Sequence, residues 1–176
     1  LNERKIGMNL FLRSDVPPKS GVGGSAAIFA SLVGLFNHLK QEKKMTNYEI
    51  AEMALKLERE ELKIAGGKQD QYATVFGGIN FMEFGNGWVR VNPLKIKKEH
   101  ILEMEKHLIL AYLGDRPMQS GGDIITDQTR NFVERKQDTV QALDRTKELA
   151  IEMKEAVLLG DFVRLGELLN LAWSEK

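Results

Sequence analysis

The chain has 176 residues, of which 43% are hydrophobic, so it is long enough to bury one sizeable core or two modest lobes. Lysine plus arginine balance aspartate plus glutamate at 25 each, which argues against nucleic acid or an anionic membrane surface as a partner. The absence of cysteine excludes disulfides and thiolate metal sites and fits a reducing cytoplasm, and the longest nearly uninterrupted apolar run, Ala26–Phe36, falls short of the roughly 20 residues of a membrane span.

The first half of the chain predicts a strand followed by three helices. Apolar and polar residues alternate over Lys5–Arg13, which predicts a half-buried strand. Ser25–Leu39 is apolar on nearly all sides and predicts a central helix that is covered on most faces. Thr46 and Glu49 have the spacing of a capping box, so a second helix is expected to begin there and to end at the glycine pair of residues 66–67. A short third helix follows to about residue 75.

The second half predicts a hairpin and then mostly helices. Ile79–Phe84 and Trp88–Asn92 are strand-like and flank a Gly-Asn-Gly turn. Beyond Pro93 we expect a short helix, an apolar strand over His107–Leu113, and long helical periodicity that is interrupted at residues 160–161 and continues towards the C-terminus. We therefore place a boundary between two lobes near Pro93.

The loop before the central helix has the composition of an anion-binding site. Gly21, Gly23 and Gly24 precede a helix whose first N–H groups have no intrahelical acceptor and whose dipole is positive at that end. The glycines let the backbone approach a phosphate closely, and the Ser25 hydroxyl can bond the phosphate or ligate Mg²⁺. The pattern therefore favours a phosphate-binding loop.

Two common phosphate-loop patterns fit this loop poorly. A Walker loop needs a lysine and then a serine or threonine, whereas two alanines follow Ser25. Gly21, Gly23 and Ala26 match a loose dinucleotide-binding pattern, but the stiff segment of residues 15–18 replaces the tight turn and no strand ending in an acidic residue follows the helix. A glycine-rich turn that only lets two elements pack is the remaining alternative.

Residues 18–27, PKSGVGGSAA, resemble the P-x-x-G-L-G-S-S-A-A nucleotide-phosphate loop of the GHMP kinases. Val22 replaces a leucine, and Gly24 replaces the first of the two serines. In the family a serine of this pair helps to hold Mg²⁺, and only the second, Ser25, is kept here. The resemblance implies that ATP phosphates are bound by Gly21, Val22, Gly23, Gly24, Ser25 and Ala26.

A second segment resembles the same family. Residues 66–73, GGKQDQYA, and residues 76–84, FGGINFMEF, are similar to motifs of its sugar kinases that act on D-glycero-D-manno-heptose 7-phosphate. The resemblance implies that Asp70 is the catalytic base, and a carboxylate at a helix N-terminus is favoured in its charged form. Its neighbours Gln71 and Tyr72 are expected to contact the substrate. The alternative is that Asp70 only caps its short helix.

Glu58 lies on the apolar stripe of the second helix, where a charge needs a cation. The resemblance implies that Glu58 completes the Mg²⁺ site together with Ser25. Glu60 and Glu61 are alternative ligands, and a second alternative is that Glu58 pairs with Arg59 or with a lysine.

The second lobe carries a weaker resemblance to the segment that borders the sugar in heptose kinases. Leu110–Arg116, with Ser120 and Gln128 beyond it, is similar to a T-G-x-x-R-x-S pattern, although Leu113 stands where threonine is usual. Arg116 is therefore expected to hold a substrate phosphate. The lysines beside the two motifs are best explained as solvated, and the histidines lack metal-ligand spacing; these residues are Lys19, Lys68, His38, His100 and His107.

The resemblance implies the two-lobed α+β fold of the GHMP kinases, with a lobe of the ribosomal protein S5 domain 2 type at residues 1–92 and a helix-rich lobe at residues 93–176. It implies a kinase with ATP and Mg²⁺ that acts on a small sugar or sugar phosphate. The first and third family motifs are not found, so we expect a central part of a longer enzyme, weakly active or inactive alone. A sensor without turnover and a mevalonate-pathway kinase or decarboxylase stay open, as does a homodimer.

Overall fold

The computed structural model describes residues 7–17, 20–40, 42–64, 66–112, 114 and 120–175, without the side chains of residues 120–125. Its contacts divide the chain after Gly78 into two compact units. The first contains the described residues up to Gly78 together with Gly114, and the second contains the rest. The lobes assigned to residues 1–92 and 93–176 concern a complete enzyme and stay a prediction.

The first unit is built on helix α1, Gly24–Leu39, which begins as predicted. Its buried residues form one stripe at helical spacing: Ala26, Ala30, Val33 and Asn37. The expectation that α1 is covered on most faces is wrong for the described chain, because apolar side chains off this stripe, such as Leu35 and Phe36, are exposed. Within the described residues, the stripe and the adjoining Phe29 pack against neighbouring elements.

Helix α2, Asn47–Lys56, begins at the predicted capping box. The Thr46 N–H donates to Glu49 Oε2 at 2.7 Å, and the Glu49 N–H donates to Thr46 Oγ1 at 3.3 Å. The bond from the Thr46 N–H, together with one that the Thr46 hydroxyl donates to the same Glu49 oxygen at 2.9 Å, lowers the pKa of the Glu49 carboxyl. Helix α2 then widens into one π-helical turn, Leu57–Glu61. The expected end at residues 66–67 is therefore wrong: the helical segment ends at Glu61.

Small side chains let α1, α2 and helix α3, Gln69–Phe76, pack closely. Ala30, Val33 and Ala54 form the centre of this core, and larger apolar residues surround them: Phe29, Met45, Ile50, Leu57 and Val75. The buried Asn37 carboxamide ties the end of α1 to the start of α2, because it bonds both the N–H and the C=O of Met45. Hydrogen bonds on both sides of this amide offset the cost of removing it from water.

Two predicted strands are wrong where the structure describes them. Gly7–Arg13 has no strand structure and its side chains are exposed, with Phe11 at 91%. Residues 108–112 likewise form no strand, and Ile109 is 90% exposed. A strand needs a hydrogen-bonded neighbour, and no strand pairs with either segment among the described residues.

The second unit contains the predicted hairpin. Strands β1, Asn80–Gly85, and β2, Trp88–Pro93, pair antiparallel with Gly85 opposite Trp88. Gly87 has φ 76°, a left-handed value that the two-residue turn requires and that glycine adopts readily. The hairpin prediction is confirmed.

Four helices complete the second unit: α4, Lys98–His107; α5, Ser120–Val133; α6, Gln137–Leu159; and α7, Phe162–Ser174. As predicted, Gly160 ends α6 with φ 74°, and Asp161 caps α7 by accepting a hydrogen bond from the Arg164 N–H at 3.0 Å. The core between α6 and α7 is apolar: Leu149, Ala156, Val157, Leu165 and Leu168. The predicted α+β class is confirmed.

Within the described ranges, none of the helices has the length and apolar character that crossing a membrane requires.

Candidate active site in the first unit

The glycine loop presents free backbone donors at the start of α1. Gly21 and Gly23 have φ 79° and 74°, left-handed values that suit glycine. Gly23 is the N-cap of α1, no side chain caps the helix, and its first turn contains no acidic residue. The first N–H to find a helical acceptor is that of Ala27, which donates to Gly23 C=O at 2.9 Å. The N–H groups of residues 24–26 are therefore available to an anion.

Asp70 lies directly beside this loop. It is the second residue of α3 and is half-buried. A β-carbon at Gly23 would lie 3.6 Å from both Cβ and Cγ of Asp70 and 4.0 Å from its Oδ1. The first unit thus brings together the two motifs that the sequence singled out. Asp70 does not cap α3, whose N-cap is Lys68, and the structure gives its carboxylate no hydrogen bond within the described residues.

Glu58 is buried as predicted, at 4% exposed. The Gln71 Nε2 donates a hydrogen bond to Glu58 Oε2, and the Arg59 Nη1 lies 3.6 Å from the same oxygen. The alternative in which Glu58 pairs with Arg59 therefore describes this structure, and it explains how a charge is tolerated at this depth. Glu60 and Glu61 are exposed. Of the three candidate glutamates, only Glu58 faces the interior.

Glu58 continues the buried stripe of α2 and lies in the π-helical turn. Extra residues in a turn rotate the side chains that follow them, and such turns occur frequently at functional sites. The helical segment ends with this turn. After it, the Leu62 N–H donates to the Leu57 C=O at 3.1 Å, and the Ile64 N–H donates to the Glu58 C=O at 3.1 Å. Lys63 then takes a left-handed φ of 54°. Helical periodicity alone predicted the burial of Glu58 but gave no sign of the π turn.

Gln71 and Tyr72 are both buried, at 0% and 1% exposed. The Tyr72 hydroxyl donates to Glu52, and the Lys68 Nζ lies 3.6 Å from the same carboxylate. Burial, and then the hydrogen bond to Glu52 and its charge, raise the pKa of the Tyr72 phenol well above its ordinary value. Tyr48 packs edge-on against Tyr72. Both side chains are therefore buried in the first unit and bonded to glutamates there. A substrate contact for either stays a prediction.

The remaining predicted residues are less informative. Lys19, Leu113 and Arg116 lie outside the described residues, and so does the side chain of Ser120. Gln128 is an exposed residue of α5 in the second unit. In the described part of the chain no group of three or more histidine and acidic side chains is arranged to hold a metal ion. Sequence reasoning overlooked the role of Arg59, whose guanidinium contacts the segment before α3.

Comparison with known proteins agrees with this geometry. The family model described as GHMP kinases N terminal domain matches residues 1–78, the part of the chain that contains both motifs. A D-glycero-alpha-D-manno-heptose 7-phosphate kinase of Campylobacter jejuni is 36% identical over 181 residues, which cover 99% of this chain and 50% of that protein. An L-fucokinase/L-fucose-1-P guanylyltransferase of Bacteroides fragilis is 26% identical, over 99% of this chain and 18% of that protein.

A solved structure shares the fold. The crystal structure of a D-glycero-D-manno-heptose 1-phosphate kinase from Bacteroides thetaiotaomicron superposes with a TM-score of 0.66 at 30% identity, over 92% of this chain and 45% of that one. The chain thus spans about half the length of the heptose-phosphate kinases that it matches. The resemblance read from the two motifs is confirmed: residues 1–78 match the N-terminal domain of the GHMP kinases, and the chain is similar to sugar kinases.

Proposed function

We propose that this chain provides the phosphate loop and catalytic aspartate of an ATP-dependent kinase. The enzyme transfers the γ-phosphate of ATP to a hydroxyl of a sugar or sugar phosphate of the heptose 7-phosphate type. The observation that carries the proposal is the closeness of Gly23 and Asp70, which sets a carboxylate beside the anion-binding end of α1. The names of the similar kinases support a phosphorylated heptose as the substrate class.

The loop would bind the ATP phosphates through backbone donors. The N–H groups of residues 24–26 and the exposed residue Ser25 lie at the N-terminal end of α1, where the helix dipole favours negative charge. The absence of a β-carbon at Gly23 leaves room between this end and Asp70. Phosphates bound here would place the terminal phosphate on the side of the loop that Asp70 occupies.

Asp70 would orient the acceptor hydroxyl and take its proton. The hydroxyl oxygen forms a bond to the γ-phosphorus while the bond from that phosphorus to the β,γ-bridging oxygen breaks, and ADP leaves with the electron pair. The proton passes to the Asp70 carboxylate. A strong base is not needed, because alignment of the hydroxyl and neutralisation of spread charge supply most of the rate enhancement in phosphoryl transfer.

Ser25 and Glu58 are the proposed ligands of Mg²⁺. Both recorded contacts of Glu58 use Oε2, so Oε1 is the oxygen that suits a hard cation. A site with only two protein ligands fits Mg²⁺, which commonly keeps several waters and binds substrate phosphates. When bound, this ion neutralises charge that develops on the phosphates. Arg116 is the proposed partner of a substrate phosphate. A cytoplasmic location, where ATP is abundant, and a homodimer are parts of the same proposal.

The experiment is a turnover assay on the complete reading frame that encodes this chain. The protein is given ATP, Mg²⁺ and a panel of sugar phosphates, and ADP release is measured. Asp70→Asn should lower kcat at least about 100-fold, as expected for loss of a general base. Asp138→Asn is the matched control, because Asp138 occupies the first turn of α6 in the second unit; it should turn over like the parent.

The outcomes separate the proposal from its alternatives. Turnover of a heptose phosphate that Asp70→Asn abolishes supports the sugar kinase. Equal turnover by parent and Asp70→Asn contradicts the assigned base. Tight binding of ATP or sugar without any turnover would favour the sensor, and turnover only of mevalonate-type acids would favour the other GHMP branches.

A further inference from the structure

The segment between the π-helical turn and α3 determines where Asp70 lies, yet it has no regular structure of its own. Its described residues, 62–64 and 66–68, are all exposed. Two glycines in succession add backbone freedom immediately before α3. Something outside the segment must therefore hold it for Asp70 to keep its place beside Gly23.

The Arg59 guanidinium spans this segment. Its Nη1 donates to the C=O of Ile64 at 2.9 Å, and its Nη2 donates to the C=O of Gly67 at 2.8 Å. The Arg59 side chain is 20% exposed, and a charged donor makes both bonds stronger than neutral ones, although the two acceptor residues are exposed. A planar fork can bridge two carbonyls at fixed separation, whereas a lysine ammonium acts as a single point of charge.

Gly66 makes room for this bridge. A β-carbon at Gly66 would lie 2.6 Å from Nη2 and 2.9 Å from Cζ of Arg59, closer than atoms in contact can approach. The φ of Gly66 is not in the left-handed region, so the backbone conformation itself does not require glycine. The reason for a glycine at residue 66 is therefore the guanidinium that lies against it.

Glu58, the residue before Arg59, anchors Gln71, which follows Asp70 in the chain. Its carboxylate accepts the hydrogen bond from the Gln71 side chain, and the Arg59 Nη1 lies 3.6 Å from that carboxylate. Asp70 thus stands between two anchored positions, the Gly67 carbonyl and the Gln71 side chain. Both anchors come from adjacent residues of one π-helical turn.

We propose that Arg59 is a positioning residue: by bridging Ile64 and Gly67 it fixes the start of α3 and keeps Asp70 beside Gly23. This inference rests on the proposed role of Asp70. The guanidinium does not touch the glycine loop in any recorded contact, so its loss should misplace Asp70 and leave the loop intact. Arg59 should therefore affect kcat and leave the KM for ATP unchanged.

The test compares two variants that keep the positive charge beside Glu58. Arg59→Lys removes the bridge, and Gly66→Ala displaces the guanidinium with a methyl group. Each should lower kcat roughly tenfold or more, since misplacement of a reacting group by about 1 Å costs up to about 100-fold. The KM for ATP should stay within about twofold of the parent. Arg130→Met, which removes an exposed arginine of α5, is the control and should change neither constant.

A double-mutant cycle distinguishes positioning from general damage. If both substitutions act by breaking the same bridge, the double variant should be no worse than Arg59→Lys alone. Additive losses, or a KM for ATP that rises as much as kcat falls, would overturn the inference. So would unchanged kcat in both variants while Asp70→Asn is inactive, a result that leaves the proposed function standing. If Asp70→Asn is itself active, the proposed function fails first. Should Arg59→Lys not fold, as judged by circular dichroism, Gly66→Ala alone decides through its kcat and KM.

Discussion

The two units differ in what they bury. The buried polar and charged residues in the described chain, Asn37, Glu58 and Gln71, all lie in the first unit. Among the described residues of the second unit, those classed as buried are all apolar, and ion pairs such as that of Arg164 with Glu167 lie at the surface. Burying a charge costs stability unless it is well paired, whereas surface pairs change stability little. The first unit therefore gives up stability to bury Glu58 and Gln71, of which Gln71 adjoins Asp70, whereas the core of the second unit is apolar in the described residues.

The largest expected loss of stability lies in the apolar core of the second unit. Leu168→Ala should lower the free energy of unfolding by about 2–5 kcal/mol, because Leu168 is fully buried in the α6–α7 core and alanine leaves a cavity. Urea titration checks the change. Leu169→Ala is the matched control, since Leu169 is 49% exposed and its loss should matter little. Equal losses for the two neighbours would contradict the assigned core.

Glu58→Gln tests the buried charge of the first unit. It should lower the free energy of unfolding by about 2 kcal/mol, since the charged acceptor of the Gln71 hydrogen bond and the ion-pair partner of Arg59 is lost. If Glu58 also holds Mg²⁺, the Mg²⁺ concentration for half-maximal turnover should rise. Glu60→Gln, on the exposed side of the same π-helical turn, should change neither quantity. A Mg²⁺ response that shifts with Glu60 and not with Glu58 would reassign the ligand.

Two left-handed glycines sharpen the comparison further. Gly23→Ala should cost about 1–2 kcal/mol, because a left-handed φ of 74° is unfavourable for alanine, and it should raise the KM for ATP by disturbing the loop. Gly160→Ala at the end of α6 has the same φ, and its methyl would also lie 2.8 Å from the His100 ring. It should destabilise at least as much without changing the KM for ATP. If both substitutions raised the KM for ATP, the rise for Gly23→Ala would reflect general destabilisation and not a disturbed phosphate loop.

The sequence predicted best the features that depend on local contacts. The capping box at Thr46, the hairpin turn at Gly87 and the end of α6 at Gly160 each involve residues within a few positions of one another. The two wrong strands show the opposite case, because strand formation depends on a partner that may be remote in sequence. Gly23 and Asp70 lie close together in the structure although they are far apart in the sequence. Family motifs, and not periodicity, pointed to these two residues.

Partners were harder to predict than burial. Helical spacing indicated that Glu58 faces the interior, but it did not identify Gln71, which lies on another helix. Arg59 was considered only as a counter-ion to Glu58, although its two bonds to Ile64 and Gly67 carbonyls depend on a turn that periodicity does not reveal. Side-chain bonds to backbone across an irregular segment leave no pattern in residue types.

The most direct test of the central claim is a crystal structure of the complete protein with a non-hydrolysable ATP analogue and Mg²⁺. We predict phosphate oxygens about 3 Å from the N–H groups of residues 24–26, with the Asp70 carboxylate facing the terminal phosphate across Gly23. Phosphates bound elsewhere, with Asp70 out of reach of the terminal phosphate, would contradict the account.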